Sequence, residues 1–215
     1  MIKCFQKELK LNVAPPMYLF TLLAAMVLIP NYPVIVGAGY VAMQIQVYLQ
    51  NVSNNRSLEF STMLPVRRKD ITGGITLVIV LFQLLNVVLA LALIPVAKTL
   101  YPQGNLVGID ANLTFTGITL FGFGIFNLVF LTGYFKTGRK YGWPLVYATL
   151  TFLLVYGVFE TLIQAIPTLT AALDGYSSDY IVVRLALAMF GLIFYAATTA
   201  LANKLASEKF EKVNL

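Results

Sequence analysis

Few residues of this chain could do chemistry inside an apolar environment. Glu160 and Arg184 are the only charged residues within its long apolar runs. A charge in the middle of a membrane costs about 3 kcal/mol and normally finds a partner. We therefore predict an intramembrane charge pair between Glu160 and Arg184, on two different helices. The alternative, that Glu160 is a proton-coupling carboxylate, would normally need a chain of titratable groups rather than one.

Other catalytic chemistries lack the residues that they require. The chain has no histidine, which is the commonest metal ligand and neutral-pH acid–base group. Its single cysteine, Cys4, excludes an internal disulfide. No Gly-x-x-x-x-Gly-Lys-Ser/Thr phosphate loop is present, so we expect no ATP hydrolysis by this chain. A membrane enzyme is disfavoured too, because the apolar runs hold no carboxylate pair and no convincing Ser/Lys arrangement.

The composition is that of a membrane protein. Hydrophobic residues make up 59% of the chain and charged residues only 11%, and the mean hydropathy is +0.80. A soluble domain keeps roughly a quarter of its residues charged. The apolar residues lie in blocks between short polar stretches. We therefore predict an all-α integral membrane protein with a single transmembrane domain, in contact with membrane lipid.

The apolar blocks predict six transmembrane helices. A crossing needs about 20 apolar residues, and four blocks meet this requirement directly. The first apolar region, Met17 to Tyr48, is too long for one crossing and is interrupted by Pro30-Asn31-Tyr32-Pro33, a strong turn signal. Split there, it gives two short crossings. The predicted spans are residues 17–30, 32–49, 71–97, 113–134, 143–166 and 180–203.

The basic residues favour two crossings in the first region and place both termini in the cytoplasm, because Lys and Arg concentrate on cytoplasmic segments. With six spans, every Lys and Arg except Lys98 and Arg184 falls in a predicted inner segment, including residues 51–70 and the tail 204–215. A single crossing would move the Arg56–Lys69 cluster outside. We attribute the net charge of +6 to this orientation and infer no nucleic-acid partner.

Residues 1–14 predict an amphipathic elbow helix in the plane of the lipid headgroups. Phe5, Leu9 and Val13 recur at helical spacing, while the lysines occupy other positions. Pro15-Pro16 then ends the helix before span one. The segment is either an orientation anchor or a helix braced against a partner subunit. The apolar run that follows lacks a small-x-small cleavage site, so we interpret it as a retained span rather than a signal peptide.

A second amphipathic helix is predicted in the cytoplasm between spans two and three, over residues 55–66. Ser57 is a plausible N-cap, and Glu59 suits the positive end of the helix dipole. Pro65 ends the helix. The segment either lies in the membrane interface or docks onto another protein. Its apolar side is formed by Leu58, Phe60, Met63 and Leu64, and the basic cluster Arg67, Arg68 and Lys69 follows.

At this segment the sequence resembles the permease subunits of type-2 ABC exporters. Glu59 and the stretch Leu64-Pro65-Val66-Arg67-Arg68-Lys69-Asp70-Ile71 carry the resemblance. In that family the pattern lies on a coupling helix, which docks into a groove of a separate ATP-hydrolysing subunit. An elbow helix, six spans and short outer loops fit the same plan. The resemblance implies ATPase-coupling roles for Leu58, Glu59, Phe60, Met63, Leu64, Pro65, Arg67, Arg68 and Lys69.

The resemblance also implies partners and a substrate. Two permease chains, identical or paired with a similar one, are expected to assemble with two ABC ATPase subunits, which bind the ATP and Mg²⁺. The compact size resembles the permeases that export phenol-soluble modulins, which implies an amphipathic peptide substrate and a bacterial cytoplasmic membrane. The outer connections, residues 98–112 and 167–179, are shorter than in larger type-2 exporters. This argues against re-entrant outer helices.

Two other functions remain open from the sequence. An ATP-independent secondary transporter or channel should show inverted repeats or paired broken spans, and only the break at Pro30–Pro33 qualifies. An immunity protein that removes peptide from its host's own membrane would use the same machinery as an exporter.

Uncharged polar residues and glycines within the spans have a structural and a functional interpretation. Gln83, Asn86, Asn127 and Gln164 are predicted to make hydrogen bonds between helices rather than to contact substrate. The glycines of span four are predicted to allow close helix packing. The alternative is that this span, which is also rich in phenylalanine, forms an apolar wall for a peptide.

Overall fold

The described part of the chain is built from helices and their connections. The computed structural model describes residues 1–138 and 140–213, none of which lies in a β-strand. Arg139, in a predicted inner segment, and residues 214–215 of the predicted tail lie outside the described residues. In chain order the helices are α1 (Ile2–Asn12), α2 (Pro15–Leu22), a 3-10 helix (Leu23–Leu28), α3 (Ile35–Gly39), α4 (Val41–Asn54), α5 (Ser57–Met63), α6 (Arg68–Leu100), α7 (Leu113–Tyr134), α8 (Gly142–Ala165), α9 (Pro167–Leu173) and α10 (Ile181–Phe210).

Four of these helices, α6, α7, α8 and α10, are long and apolar enough to cross a membrane. At 1.5 Å per residue even α7, the shortest, covers about 33 Å, and the hydrocarbon core is about 30 Å thick. The four helices fall on the last four predicted spans, although α10 continues to Phe210 instead of ending at residue 203. The chain is therefore all-helical, with several apolar helices that could span a membrane, as in a multi-pass membrane protein.

The first apolar region is broken into shorter pieces. α2 continues only as the 3-10 helix, and Asn31, in the predicted turn, has a positive φ of 54°. α3 and α4 are joined through Tyr40. None of these pieces is long enough to cross a membrane alone. By length and composition the structure therefore has four candidate spans, or five if α1 and Pro15–Leu28 form one bent span.

The bend after α1 is close to a right angle. α1 and the helical stretch Pro15–Leu28 meet at 94°. Val13 and Ala14 are extended between them, and Pro15 begins α2. The cause is local, because the residue before a proline is pushed out of the helical region while proline itself suits a first helical turn. The sequence therefore separates α1 from the apolar stretch that follows.

One end of the bundle, called here the α5 end, collects the segments that are rich in lysine and arginine. The Nζ atom of Lys7 in α1 donates a hydrogen bond of 2.8 Å to the Ser57 hydroxyl of α5. Lys209 near the end of α10 donates to the carbonyl of Thr132 near the end of α7, at 3.3 Å. The N-terminus of α6 lies at the same end, since α5 leads into it through four residues.

The other connections meet at the opposite end. Asn105 donates its side-chain amide to the carbonyl of Tyr32, at 3.0 Å, which joins the α6–α7 connection to the turn after the 3-10 helix. The backbone nitrogen of Asp110 donates to the Asp174 carboxylate at 2.8 Å, which adds the connection after α9. Successive connections along the chain thus alternate between the two ends.

Helix α7 is the centre of the bundle, with 72% of its most apolar stretch buried. Glycines allow this close packing. A Cβ atom on Gly117 would lie 2.7 Å from the carbonyl oxygen of Leu187 in α10, and one on Gly191 of α10 would overlap the carbonyl of Gly117. On the other side, Gly122 faces the Phe152 ring of α8, 2.8 Å from such a Cβ. The predicted role of the span-four glycines Gly117 and Gly122 in close helix packing is therefore confirmed.

Buried amides join α6, α7 and α10 in the interior. Gln83 and Asn127 exchange two hydrogen bonds of 2.9 Å, and the Tyr195 hydroxyl donates to Gln83 at 2.8 Å. Asn86 donates to a backbone carbonyl of α3, at 3.3 Å. These three amides are interhelical as predicted, whereas Gln164 is exposed on α8.

Candidate functional site

Helix α5 is shorter than the predicted segment 55–66, and it begins differently. Its N-cap is Arg56, which adopts the left-handed conformation with φ 46° and makes no side-chain capping bond. Ser57, predicted as the N-cap, is instead the first residue of the helix. Its hydroxyl is bound by residues of α1, which explains why it does not cap the helix. At the other end, Leu64 is extended before Pro65, as predicted.

The two faces of α5 differ sharply in exposure. The inner face consists of Ser57, Leu58 and Ser61, which are all buried. On the outer face the exposed fractions are 53% for Phe60 and 82% for Met63. Leu64, just past the helix, is also exposed, and Glu59 is half-buried. A seven-residue helix that presents large apolar side chains next to basic residues has the form of a docking surface. We call Phe60, Met63 and Leu64 the α5 outer face.

A buried polar network holds α5 from behind. Glu8 of α1 is 1% exposed, and its carboxylate accepts hydrogen bonds from Asn12, at 2.6 Å, and from the Tyr48 hydroxyl, at 2.8 Å. It also accepts from the Ser57 hydroxyl at 3.1 Å and lies 2.6 Å from the Lys7 ammonium. We call Lys7, Glu8, Asn12, Tyr48, Ser57 and Ser61 the α1–α5 network.

Lys7 completes this network on the α5 side. Its Nζ atom donates to the hydroxyls of Ser57 and Ser61, at 2.8 and 2.5 Å. The side-chain amide of Asn55, just before α5, donates to the Leu11 carbonyl of α1 at 3.0 Å. Helix α1 is therefore joined to α5 and to the residue Asn55 by side-chain hydrogen bonds. Glu8 is a functional residue that the sequence hardly marks, because its only signal is its place four residues before Asn12 on α1.

Helix α1 also lies directly on α6. Phe5, Leu9 and Val13, predicted as its apolar face, are partly buried against the core. A Cβ on Gly74 of α6 would lie 2.8 Å from the Cβ of Cys4, so the two helices touch through a glycine. Ile2, which shares the predicted apolar spacing, is exposed instead. Helix α1 is thus packed between α6 and the α4–α5 region.

The three basic residues after α5 have different surroundings. Arg67 is exposed and lies 2.9 Å from the Asp70 carboxylate. Lys69 is exposed. Arg68 instead turns inward and binds carbonyls at the end of α10, starting with that of Phe210 at 2.5 Å. The three residues are adjacent in the sequence and were predicted to act as one cluster. In the structure Arg67 and Lys69 are exposed, whereas Arg68 contacts the end of α10.

The predicted ion pair between Glu160 and Arg184 is not formed. Arg184 is 2% exposed and donates to the backbone carbonyls of Ala172, Asp174 and Ser177, at 3.0, 2.5 and 2.9 Å. Glu160 accepts from the backbone nitrogen of Ile109 at 3.2 Å. Arg184 therefore binds carbonyls around the end of α9, which are strong acceptors in a buried place. Both residues lie at the opposite end from α5.

The opposite end holds one more buried acid and a short helix. Burial raises the pKa of the Asp110 carboxyl, and the nearby Asp174 raises it further. α9, of seven residues, lies in the connection between α8 and α10, where the short length argued against re-entrant outer helices. Whether α9 re-enters the membrane is not tested by its length, and that expectation stays a prediction. Because the acids here bind backbone nitrogens, their positions are explained by the fold of the connections.

A cleft of about 270 Å³ lies beside α5. It is lined by Val52, Ser53, Arg56, Leu58, Glu59, Tyr134, Gly138 and Tyr141. Within residues 1–138 and 140–213, no group of three or more Asp, Glu, His or Cys side chains could hold a metal ion. The cleft thus lies beside the exposed apolar side chains of the α5 outer face. Compared with models of known protein families, with curated proteins and with solved structures, the chain matches none.

Proposed function

We propose that this chain is the membrane permease subunit of an ATP-driven type-2 ABC exporter, and that α5 is its coupling helix. The observation that carries the proposal is the contrast between the two sides of α5. Its outer face exposes Phe60 and Met63, while its inner face is fixed to α1 by buried hydrogen bonds. A surface that receives force from a partner needs both an exposed contact and a rigid attachment.

The proposed topology has six crossings, with α1 as an elbow helix and both termini in the cytoplasm of a bacterial cell. The alternation of connections between the two ends of the bundle supports six crossings. α3 and α4 together contain enough residues for about 30 Å, which matches the hydrocarbon core. The basic residues Lys7, Arg68 and Lys209 all lie at the α5 end, and the positive-inside rule assigns that end to the cytoplasm.

The proposed complex contains two permease chains, identical or similar, and two ABC ATPase subunits. ATP and Mg²⁺ belong to the ATPase subunits, since this sequence carries no phosphate loop. The substrate is proposed to be hydrophobic or amphipathic, such as a phenol-soluble modulin or an antimicrobial peptide. This substrate class rests on the sequence resemblance. In the proposed cycle, a displacement of the ATPase moves α5 and with it the attached helix α1.

The decisive experiment combines purification with transport. The tagged chain is purified from native membranes in mild detergent, any bound ATPase is identified, and the complex is reconstituted into liposomes with a fluorescent amphipathic helical peptide. We expect peptide movement that requires ATP. Asn54 is exposed, and Asn54→Cys in a Cys4→Ser background should react with a thiol reagent only when the reagent is added from the cytoplasmic side. Transport by the chain alone with an ion gradient would instead support a secondary transporter.

The α5 outer face gives a direct mutational prediction. Changing Phe60 to Ala and Met63 to Ser should weaken ATPase association by about 30-fold or more, because a buried aromatic anchor contributes about 2 kcal/mol to an interface. ATP-driven transport should fall in parallel. The melting temperature of the purified chain should stay unchanged, since both side chains are exposed. Association is measured by co-purification yield and by titration of the ATPase.

A matched control lies at the opposite end. Leu106 is 84% exposed, so Leu106→Ser also removes an exposed apolar side chain, but far from α5. It should leave both ATPase association and transport at wild-type levels. The pair Glu59→Arg and Phe60→Ala provides a second test of coupling. Normal export by that double variant would contradict the role proposed for α5.

A further inference from the structure

Arg68 makes an unusual set of contacts for a residue of a basic cluster. Its Nη1 atom lies 2.5 Å from the carbonyl oxygen of Phe210, 2.5 Å from that of Val213 and 3.2 Å from that of Glu211. Its guanidinium also lies over the Phe210 ring, 5.3 Å from the ring centre. Phe210 itself is completely buried. Arg68 is thus committed to the end of α10.

The physical role of these contacts is to complete a helix terminus. The last four carbonyls of a helix lack hydrogen-bond donors within the helix, and the helix dipole places negative charge there. The Nη1 group of an arginine carries two hydrogens and part of the guanidinium charge, so this one group can serve two of these carbonyls at once. α10 ends at Phe210, where Arg68 supplies donors and positive charge. The side chain of Arg68, at the start of α6, therefore caps the C-terminal end of α10.

Two further hydrogen bonds continue the same seam between α6 and α10. The hydroxyls of Thr72 and Ser207 are 2.7 Å apart, and Thr76 donates to Asn203 at 3.1 Å. Arg68, Thr72 and Thr76 are spaced four residues apart, so they share one face of α6. The first two turns of α6 are thereby attached to the end of α10.

Arg68 is also close to the docking surface along the chain. Only residues 64–67 separate Met63, the end of α5, from Arg68, the start of α6. Pro65 and the extended Leu64 restrict this connection. A displacement of α5 therefore reaches Arg68 through a short, stiff segment rather than a flexible loop.

We propose that Arg68 is a positioning residue that transmits the displacement of α5 to α10, and that it does not belong to the ATPase-docking surface. This inference rests on the proposed function. It assigns Arg67 and Lys69 to the exposed surface, and Arg68 to the interior linkage. Movement of α10 against α6 would change the apolar groove of about 390 Å³ between them, whose wall includes Leu77, Val80 and Ala200.

The groove provides a reporter of this movement. In a Cys4→Ser background, Ala200→Cys places the only cysteine on the exposed side of α10. Its rate of reaction with a small maleimide is measured in the reconstituted complex, with and without ATP. We expect ATP to change this rate by about tenfold in the parent, and Arg68→Ala to remove most of that change. Peptide transport should fall together with it.

Matched variants separate three possible effects of changing Arg68: loss of the contact with α10, loss of ATPase binding and loss of a positive charge. Arg67→Ala and Lys69→Ala each remove one positive charge from the same segment, and both should keep the ATP-dependent change in the maleimide labelling rate per bound ATPase. Arg68→Ala should keep a wild-type amount of bound ATPase. Arg68→Lys retains the positive charge but lacks the guanidinium plane that lies over the Phe210 ring, so it should still lose most of the labelling change. If Arg68→Ala does not fold, Arg68→Lys alone provides the test.

The outcomes distinguish this inference from the proposed function. If the parent chain binds no ATPase, the proposed function fails. If the parent binds ATPase and transports peptide, but Arg68→Lys retains transport and labelling, only the role of Arg68 is overturned. Loss of bound ATPase in both Arg68 variants, as in the Phe60→Ala and Met63→Ser variant, would place Arg68 in the docking surface and also overturn the inference.

Discussion

Gly191→Ala should lower the melting temperature of the purified chain by about 6–12 °C. A single added methyl group on α10 would overlap the carbonyl oxygen of Gly117 in α7. Relief is costly because the atoms in the way belong to backbone, and α7 is close to α10 at a second point, where a Cβ on Gly117 would lie 2.7 Å from the Leu187 carbonyl oxygen. Overpacking of this kind costs about 3 kcal/mol, and each kcal/mol shifts the melting temperature by about 2–4 °C at this size.

A matched control, Gly157→Ala, should not lower the melting temperature. Gly157 is also a mid-helix glycine, but a Cβ there would meet no atom within 4 Å. Gly157→Ala should leave the melting temperature unchanged or raise it slightly, because alanine favours a helix by about 1 kcal/mol over glycine. Both variants are compared by thermal unfolding in the same detergent. Equal melting temperatures for Gly191→Ala and the wild type would contradict the close α7–α10 contact.

The long helices could be predicted from the sequence because their cause is local. A block of about 20 apolar residues can satisfy its backbone in a membrane only as a helix. α7 begins at Leu113 and ends at Tyr134, the bounds that the sequence predicts. Its start is fixed by Asn112, whose side chain accepts a hydrogen bond from the Phe115 nitrogen at 3.1 Å. The break after Pro30 could be predicted for the same reason, because its cause is the local sequence Pro30-Asn31-Tyr32-Pro33.

Tertiary partners could not be predicted in this way. The expected pairing of Glu160 with Arg184 follows from charge alone, whereas Arg184 binds carbonyls around the end of α9. The apolar pattern does not predict that short helix, so nothing in the sequence indicates that its carbonyls accept hydrogen bonds from Arg184. The basic cluster after α5 is a second example. Arg68 differs from Arg67 and Lys69 only because it binds carbonyls at the end of α10, a contact that the sequence does not indicate.

The candidate site was found in part for the same reason. The α5 outer face could be predicted in part, since Phe60, Met63 and Pro65 mark a short amphipathic helix that ends abruptly. Leu58, which was expected on the same apolar side, is instead buried on the inner face. The attachment of α5 could not be predicted, because it depends on contacts with α1. Lys7 of α1 and Ser57 of α5 are 50 residues apart in the sequence. A glutamate beside lysines on an amphipathic helix is usually solvated. Here it is buried, and this makes α1 part of the site.

Glu8→Ala should therefore be the most damaging single change at the α5 end. It removes the acceptor that Asn12, Tyr48 and Ser57 share, and it leaves the Lys7 ammonium without its carboxylate. Breaking a buried ion pair by removing one partner costs about 3–5 kcal/mol. The melting temperature should fall by about 6–20 °C, and bound ATPase should decrease because α5 loses its support.

A double-mutant cycle with Lys7 tests the physical reason for this loss. If the cost comes from a partly buried ammonium left without its carboxylate, Lys7→Met in the Glu8→Ala background should restore part of the lost stability, because both charges are then absent. Lys10→Ala, which removes an exposed lysine of the same helix, should have little effect. Glu8→Gln should fall between, since its amide oxygen still accepts a hydrogen bond. Additive effects of Lys7→Met and Glu8→Ala would show that the two charges do not interact, and the loss in Glu8→Ala would then come from the hydrogen bonds of Asn12, Tyr48 and Ser57 rather than from the ion pair.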